Sequence, residues 1–90
     1  MIPTLHLNGT SRATLVSQVK ASTDALYLAI EKMGEAAPNA RDYYPQGEGA
    51  YKAADLESRS RIERLIALRR EMMDIYEGLE DQIDPLQRQM

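Results

Sequence analysis

Apolar residues recur every three or four positions along two stretches of the chain, which is the spacing of one face of an α-helix. The first stretch carries Leu15, Val19, Ser22, Leu26, Ala29 or Ile30, and Met33, with the serine filling one step. The second carries Tyr51, Ala54, Ser58, Ile62, Leu65, Met72, Tyr76, Leu79 and Ile83. These patterns predict two amphipathic helices, over residues 10–36 and 51–84.

The segments outside these helices follow from their prolines and glycines. Residues 1–9 are expected to form an extended arm, and Thr10 or Ser11 is expected to cap the first helix. Residues 37–50 contain two prolines and two glycines, which interrupt a continuous helix and predict a polar loop that also carries tyrosines. Residues 85–90 remain as a tail after the second helix.

The predicted fold is therefore all-α: an antiparallel two-helix hairpin forming a single domain over residues 1–90. A lone hairpin buries little apolar surface, whereas ordering the chain costs about 1–2 kcal/mol per residue. The chain has no cysteine, so disulfide bonds cannot supply the missing stability. We expect hairpins to assemble into an oligomeric helical bundle.

The second helix is predicted to be longer than the first. At about 1.5 Å per residue it extends at least two turns further, and we expect the overhang to carry Leu79 and Ile83 past the first helix. These apolar side chains then need a cover. Either the arm, through Leu5 and Leu7, folds back over them, or a second copy of the chain does. Gly78 marks a candidate break within the helix.

Charge is distributed in two blocks along the second helix. Five arginines fall between Arg59 and Arg70, and six acidic residues fall between Glu71 and Asp84. The blocks are either solvated faces or complementary surfaces of two copies packed antiparallel. The net charge of -3 and the pI near 5.1 argue against DNA as a partner.

The chain lacks the signals of membrane insertion and export. No stretch approaches the ~20 apolar residues of a membrane span, so no membrane association is expected. The first residues have neither a basic region nor a continuous apolar run, so a secretory signal is not expected. A cytoplasmic location is the prediction.

Residue types that carry catalysis and metal binding are sparse. The only histidine is His6, which falls in the N-terminal arm outside the predicted helices, so a nucleophile–base–acid triad is not expected. The sequence shows no zinc-ligand spacing and no glycine-rich phosphate loop. We therefore expect no catalytic residues, no metal, no cofactor and no enzymatic activity.

The loop is richer in chemistry than a connector requires. Arg41 offers a planar fork for phosphate or carboxylate, and the rings of Tyr43 and Tyr44 can stack on a planar group. The alternative is structural, with the two tyrosines folding back to cap the open end of the hairpin. A helix N-terminus also favours anions. The predicted ligand-binding residues are Asn8, Thr10, Arg41, Tyr43, Tyr44, Tyr51 and Arg59.

Two short motifs, LHLNGT at residues 5–10 and PNARDYY at residues 38–44, occur at the two ends of the predicted first helix. With the charged second helix, they resemble small uncharacterised helical proteins encoded by tailed bacteriophages and prophages. The resemblance spans nearly the whole chain. It implies a viral protein acting in the cytoplasm of a bacterial host.

The phage resemblance suggests an analogy with anti-defence sponges, compact oligomeric phage proteins that sequester nucleotide second messengers of bacterial immunity without cleaving them. The first functional hypothesis is therefore a non-catalytic homo-oligomer that binds an anionic, nucleotide-like small molecule. The alternative is a helical protein-interaction module, such as a phage adaptor, inhibitor or assembly component, whose partner is another protein.

Overall fold

The computed structural model describes residues 1–88, which are all-helical apart from the arm and the connections. Its elements are α1 (Arg12–Glu35), the single turn α2 (Ala40–Tyr43), a 3-10 turn (Tyr44–Gln46), the long α3 (Ala50–Glu80) and the single turn α4 (Pro85–Arg88). α1 and α3 run antiparallel, with Arg12 beside Leu79 and Thr23 beside Arg69. The predicted all-α class is confirmed, and assembly into a bundle remains a prediction.

Local capping fixes the bounds of α1. Ser11 has an extended backbone, and its hydroxyl accepts a hydrogen bond from the Thr14 amide at 3.1 Å. This satisfies one of the amides that a helix N-terminus leaves without a partner. Pro38 then disfavours helical geometry just beyond the C-terminal end. α1 is consequently slightly shorter than the predicted 10–36, and Ser11 rather than Thr10 is its cap.

α3 ends at Glu80, earlier than the predicted residue 84. The side chain of Gln82 turns toward the arm, accepting a hydrogen bond from the Leu5 amide at 2.9 Å and donating to the Pro3 carbonyl at 2.6 Å. Pro85 disfavours a helical conformation at Asp84, whose carboxylate instead accepts from the Leu86 amide and starts α4. Tertiary bonding to the arm thus accompanies the early end of the helix.

The overhang of α3 lies at the end opposite to the one expected. α1 reaches the C-terminal end of α3, where Leu79 is fully buried within its own chain. The arm folds back at this end, where Gln82 binds its backbone and Ile2 lies against Gly78, whereas Leu7 is 51% exposed. Cover by a second copy stays a prediction. Ile83 lies beyond the helix and is 59% exposed. The first turns of α3 extend past α1 instead, where they contact α2 and the 3-10 turn.

Arg12 closes the C-terminal end of α3. Its guanidinium donates to the backbone carbonyls of Leu79 at 3.4 Å and Glu80 at 2.9 Å, and it pairs with the Glu80 carboxylate at 2.6 Å. The last carbonyls of a helix have no partner within the helix, and a cation is favoured there. The Glu80 carboxylate also raises the pKa of Tyr76, one turn earlier, through hydrogen bonding and its charge.

Gly78 does not break α3, which continues through it to Glu80. A Cβ at this position would come within 3.0 Å of the side chain of Ile2. The glycine therefore leaves the space in which the arm packs against the helix. The predicted break is replaced by a contact between residues that are remote in sequence.

The hairpin has a thin core. Among the described residues only Thr23, Ser58 and Leu79 are buried, and Leu79 is the only apolar residue among them. The molecule measures 69 × 18 × 16 Å. Many large apolar side chains are exposed along it, including Tyr27, Leu28, Leu56, Ile66, Leu68 and Met73. Two helices of this length leave much of their apolar surface uncovered.

Replacing Arg12 by alanine should destabilise the fold by about 2 kcal/mol, because it removes charge-assisted hydrogen bonds to a helix end. The matched control is Arg61→Ala, which breaks an exposed 3.6 Å ion pair with Glu57 inside α3 and should cost about 0.5 kcal/mol or less. Urea denaturation followed by circular dichroism measures both. Equal losses of stability in the two variants would show that Arg12 does not stabilise the C-terminal end of α3.

Alanine at Gly78 should fail to stabilise α3, because its Cβ displaces Ile2. The control is Gly34→Ala in α1, which meets nothing within 4 Å and should gain up to about 1 kcal/mol from helix propensity. Adding Ile2→Ala should remove the clash and make Gly78→Ala stabilising. Thermal melts of Gly78→Ala, Gly34→Ala, Ile2→Ala and the Ile2→Ala/Gly78→Ala double variant decide the point, with the double variant compared with Ile2→Ala. A stabilising Gly78→Ala in the wild-type background would refute this packing.

Candidate ligand-binding site at the tyrosine loop

The loop between α1 and α3 is folded rather than irregular. Asn39 caps α2, with its side-chain oxygen accepting from the backbone amide of Arg41 at 3.0 Å and from the Arg41 Nε at 3.4 Å. The 3-10 turn follows directly and contains Pro45. The predicted loop over residues 37–50 is therefore built largely from two short helical turns, which hold the Arg41 backbone in place.

Two glycines turn the chain from the 3-10 turn into α3. Gly47 and Gly49 have φ values of 100° and 85°, a left-handed region that strains any residue with a Cβ. This reversal allows Tyr51, in the first turn of α3, to share a surface with Tyr43 and Tyr44. The sequence therefore uses glycine here to bring separate tyrosines together.

Three tyrosines surround an open concavity at this end of the molecule. Tyr43, Tyr44 and Tyr51 line a volume of about 640 Å³, with Pro45 and Glu48 at its edge. Arg41 does not line this concavity. It lies on the other side of Tyr44, in a second depression of about 370 Å³ that it shares with Ala40 and Tyr44. Tyr44 thus stands between the tyrosine concavity and the arginine.

Exposure separates the two interpretations of these tyrosines. Tyr44 is 87% exposed and Tyr51 is 40% exposed, whereas Tyr43 is half-buried. A ring that capped the hairpin would be covered by the chain, which fits Tyr43 and excludes Tyr44. The Tyr44 ring is presented to solvent on a folded turn and is free to contact another molecule.

Charge distinguishes the two sides of Tyr44. Among residues 1–88, Arg41 and Glu48 are in no ion pair. Glu48 borders the concavity and opposes the approach of an anion from that side. Arg41 offers its guanidinium on the other side. An anionic group is therefore favoured next to Arg41, with a planar group against the ring of Tyr44.

The other predicted site residues lie elsewhere. Arg59 pairs with Asp55 at 2.9 Å on the surface of α3 and does not line the tyrosine concavity. Asn8 and Thr10 lie at the arm end of the 69 Å molecule, where Thr10 borders a cleft of about 160 Å³. A single chain therefore brings together four of the seven predicted residues around residues 37–50, the tyrosine loop. The other three lie elsewhere.

A second concave surface was not predicted from the sequence. This lateral groove, of about 510 Å³, is lined by Tyr27, Ile30, Ile66, Arg69, Arg70, Met73, Asp74 and Glu77. Arg69 holds one wall, since it donates to the Thr23 carbonyl at 3.2 Å and stacks 5.2 Å from the centre of the Tyr27 ring. In the sequence, the indication of this groove was Ile66, an apolar residue beside the main apolar stripe of α3.

Comparison with models of known protein families, with curated proteins and with solved structures finds no match to the chain. Within residues 1–88, no cluster of three or more His, Cys, Asp or Glu side chains is arranged to hold a metal ion. No helix in the same range is long and apolar enough to cross a membrane. Any assignment of function therefore depends on the surfaces described above.

Replacing Tyr44 by alanine should leave the stability of the protein within about 0.5 kcal/mol of wild type, because its ring is exposed. Tyr43→Ala is the matched comparison on the same turn, and it should lower the melting temperature because its ring is half-buried. Thermal unfolding without added ligand measures both. A loss in Tyr44→Ala as large as that in Tyr43→Ala would show that Tyr44 is structural.

Proposed function

We propose that this protein is a non-catalytic binding protein that captures a planar, anionic small molecule at the tyrosine loop. The supporting observation is the exposed Tyr44 ring, held on a folded turn with Arg41 beside it. The fold does not use this ring for packing. A large aromatic side chain in such a position is suited to recognition.

The chemistry of the loop favours a nucleotide. A base stacked on a tyrosine ring contributes about 1–3 kcal/mol, and such stacking tolerates different bases. A guanidinium forms paired, charge-assisted hydrogen bonds to phosphate. A molecule carrying both groups, with its base on Tyr44 and its phosphate toward Arg41, satisfies both features of the loop.

The phage resemblance narrows the nucleotides to test. Sequestration of an immune second messenger requires binding without cleavage, which is the activity proposed for this loop. Cyclic dinucleotides and ADP-ribose derivatives are therefore the first ligands to examine, and host cytoplasm is the proposed site of action.

A second candidate function is that of a helical protein-interaction module. The lateral groove favours it, since Tyr27, Ile66 and Met73 are 52%, 42% and 37% exposed around a continuous surface. Exposed apolar patches of this kind mark docking surfaces on soluble proteins. The two candidates use different surfaces and can be tested separately.

A thermal-shift screen against cyclic dinucleotides, ADP-ribose and cyclic ADP-ribose tests the proposal. A ligand at about 100 times its Kd should stabilise the protein by ~2.7 kcal/mol through mass action. Arg41→Ala and Tyr44→Ala should lose this shift while keeping the ligand-free melting temperature. Tyr44→Phe keeps the stacking face and should retain the shift.

The matched arginine control is Arg64→Ala, because Arg64 is exposed on α3 and bonds only to the Ser60 carbonyl of its own helix among the described residues. This variant should retain the full ligand shift. Ligand shifts that survive in Arg41→Ala and Tyr44→Ala would move the site away from the loop. A wild-type protein that ignores the whole panel would remove nucleotides from consideration.

A further inference from the structure

A second stripe of side chains runs along α3 beside the lateral groove, at alternating steps of four and three residues. It consists of Arg59, Glu63, Ile66, Arg70, Met73 and Glu77. The last four line the groove, and the first two continue the same face toward the tyrosine loop. This alternation is the heptad spacing of a helix that packs against another helix.

α1 does not cover this heptad stripe. Ile66 is 42% exposed and Met73 is 37% exposed, although they occupy its central positions. The facing wall of the groove is formed by Tyr27 and Ile30 of α1, and Arg69 fixes the position of the Tyr27 ring. The groove therefore has a fixed wall on α1, and it exposes apolar side chains of both helices together with charged groups of α3.

The charges on the stripe disfavour a parallel arrangement of two copies. A parallel two-fold pairing places each stripe residue opposite the same residue of its partner. Like charges would then meet at four positions, namely Arg59, Glu63, Arg70 and Glu77. Directly opposed like charges at an interface are unfavourable.

An antiparallel arrangement pairs opposite charges. With the two-fold axis near Leu68, Arg59 of each copy faces Glu77 of the other, and this contact occurs twice by symmetry. Ile66 of each copy then lies against Arg70 of the other, whose aliphatic stem can cover it while the guanidinium reaches solvent. The third pair sets Glu63 of each copy beside Met73 of the other, with the carboxylate directed to solvent. The antiparallel direction thus opposes no like charges and pairs Arg59 with Glu77 twice.

The charged groups are free to form these contacts. In the described part of the chain, Glu63, Arg70 and Glu77 are in no ion pair. Arg59 is paired with Asp55, but its side chain is 71% exposed, and an exposed pair of this type contributes only about 0.3–0.5 kcal/mol. Arg59 can therefore leave Asp55 and pair with Glu77 of the other copy at little cost in free energy.

We propose that the lateral groove is the interface of an antiparallel homodimer, occupied by the heptad stripe of a second copy of this chain. The thin core supplies the driving force, because the second copy covers apolar side chains that one hairpin leaves in water. The charge pattern favours antiparallel over parallel packing of the two copies. The dimer buries the centre of α3 and leaves both tyrosine loops exposed.

The same arrangement relates the two ends of the molecule. With the axis near Leu68, Leu56 of one copy faces Glu80, the last residue of α3 in the other, so the first turns of α3 in one copy lie beside the arm end of the other. Asn8 and Thr10 belong to that arm end. If the proposed ligand-binding function holds, each end of the dimer brings the side of Tyr51 in one copy toward Asn8 and Thr10 of the other, whereas Arg59 belongs to the interface.

Charge exchange at the interface tests the dimer in the absence of ligand. Light scattering should give the wild-type protein twice the chain mass of 10.2 kDa. Arg59→Glu and Glu77→Arg should each weaken association by about tenfold or more, since each opposes two pairs of like charges. The double variant restores both pairs and should dimerise like wild type. An equimolar mixture of the two single variants should form the heterodimer.

The control is Arg64→Glu, which reverses a charge outside the heptad stripe and should leave the mass unchanged. Circular dichroism establishes that each variant remains helical. A helical wild-type monomer, or single variants that dimerise like wild type, would overturn the proposal. Since no ligand is present, this outcome is independent of whether the tyrosine loop binds nucleotides.

Discussion

The Arg12 guanidinium joins the first turn of α1 to the last carbonyls of α3 and so matches the start of one helix to the end of the other. The bond from Arg69 to the Thr23 carbonyl belongs to the same register further along. The arm preceding Arg12 is thereby directed over the end of α3, where Gln82 binds its backbone and Gly78 admits Ile2. Helix ends that would otherwise expose unpaired backbone groups are closed by side chains of the opposite element.

This register has a consequence at the other end of the molecule. Because α1 is matched to the C-terminal part of α3, the first turns of α3 extend beyond it and are accompanied only by α2 and the 3-10 turn. The tyrosines of that segment have little chain against which to pack, so Tyr44 remains 87% exposed. The register at the arm end, together with the greater length of α3, thus determines how far the loop end projects.

The sequence predicted what depends on neighbours along the chain and missed what depends on remote contacts. Helical periodicity located α1 and most of α3, and the prolines located the loop. The end of α3 could not be predicted, because it involves Gln82 binding an arm almost the whole chain away. Gly78 was interpreted as a break for the same reason, since its role becomes visible only with Ile2 in place.

The candidate site was predictable in part. Residue chemistry singled out Arg41 and the paired tyrosines, and the glycine-mediated turn brought Tyr51 to them. Exposure could not be inferred from residue type, because either a cap or a recognition surface uses tyrosine. Helical spacing likewise defined the main stripe of α3 but not the heptad stripe, whose apolar positions are few and whose importance depends on α1 leaving them uncovered.

The chain has no cysteine, so disulfide trapping gives the most direct test of the antiparallel dimer. In the proposed register Glu63 of one copy lies directly opposite Met73 of the other, and a disulfide joins residues whose Cα atoms are about 5.5 Å apart. Oxidation of an equimolar mixture of Glu63→Cys and Met73→Cys chains, distinguished by a tag, should give the mixed crosslinked dimer, and neither variant alone should crosslink efficiently. Efficient self-crosslinking of each single variant, or no crosslinking in the mixture, would contradict the antiparallel interface.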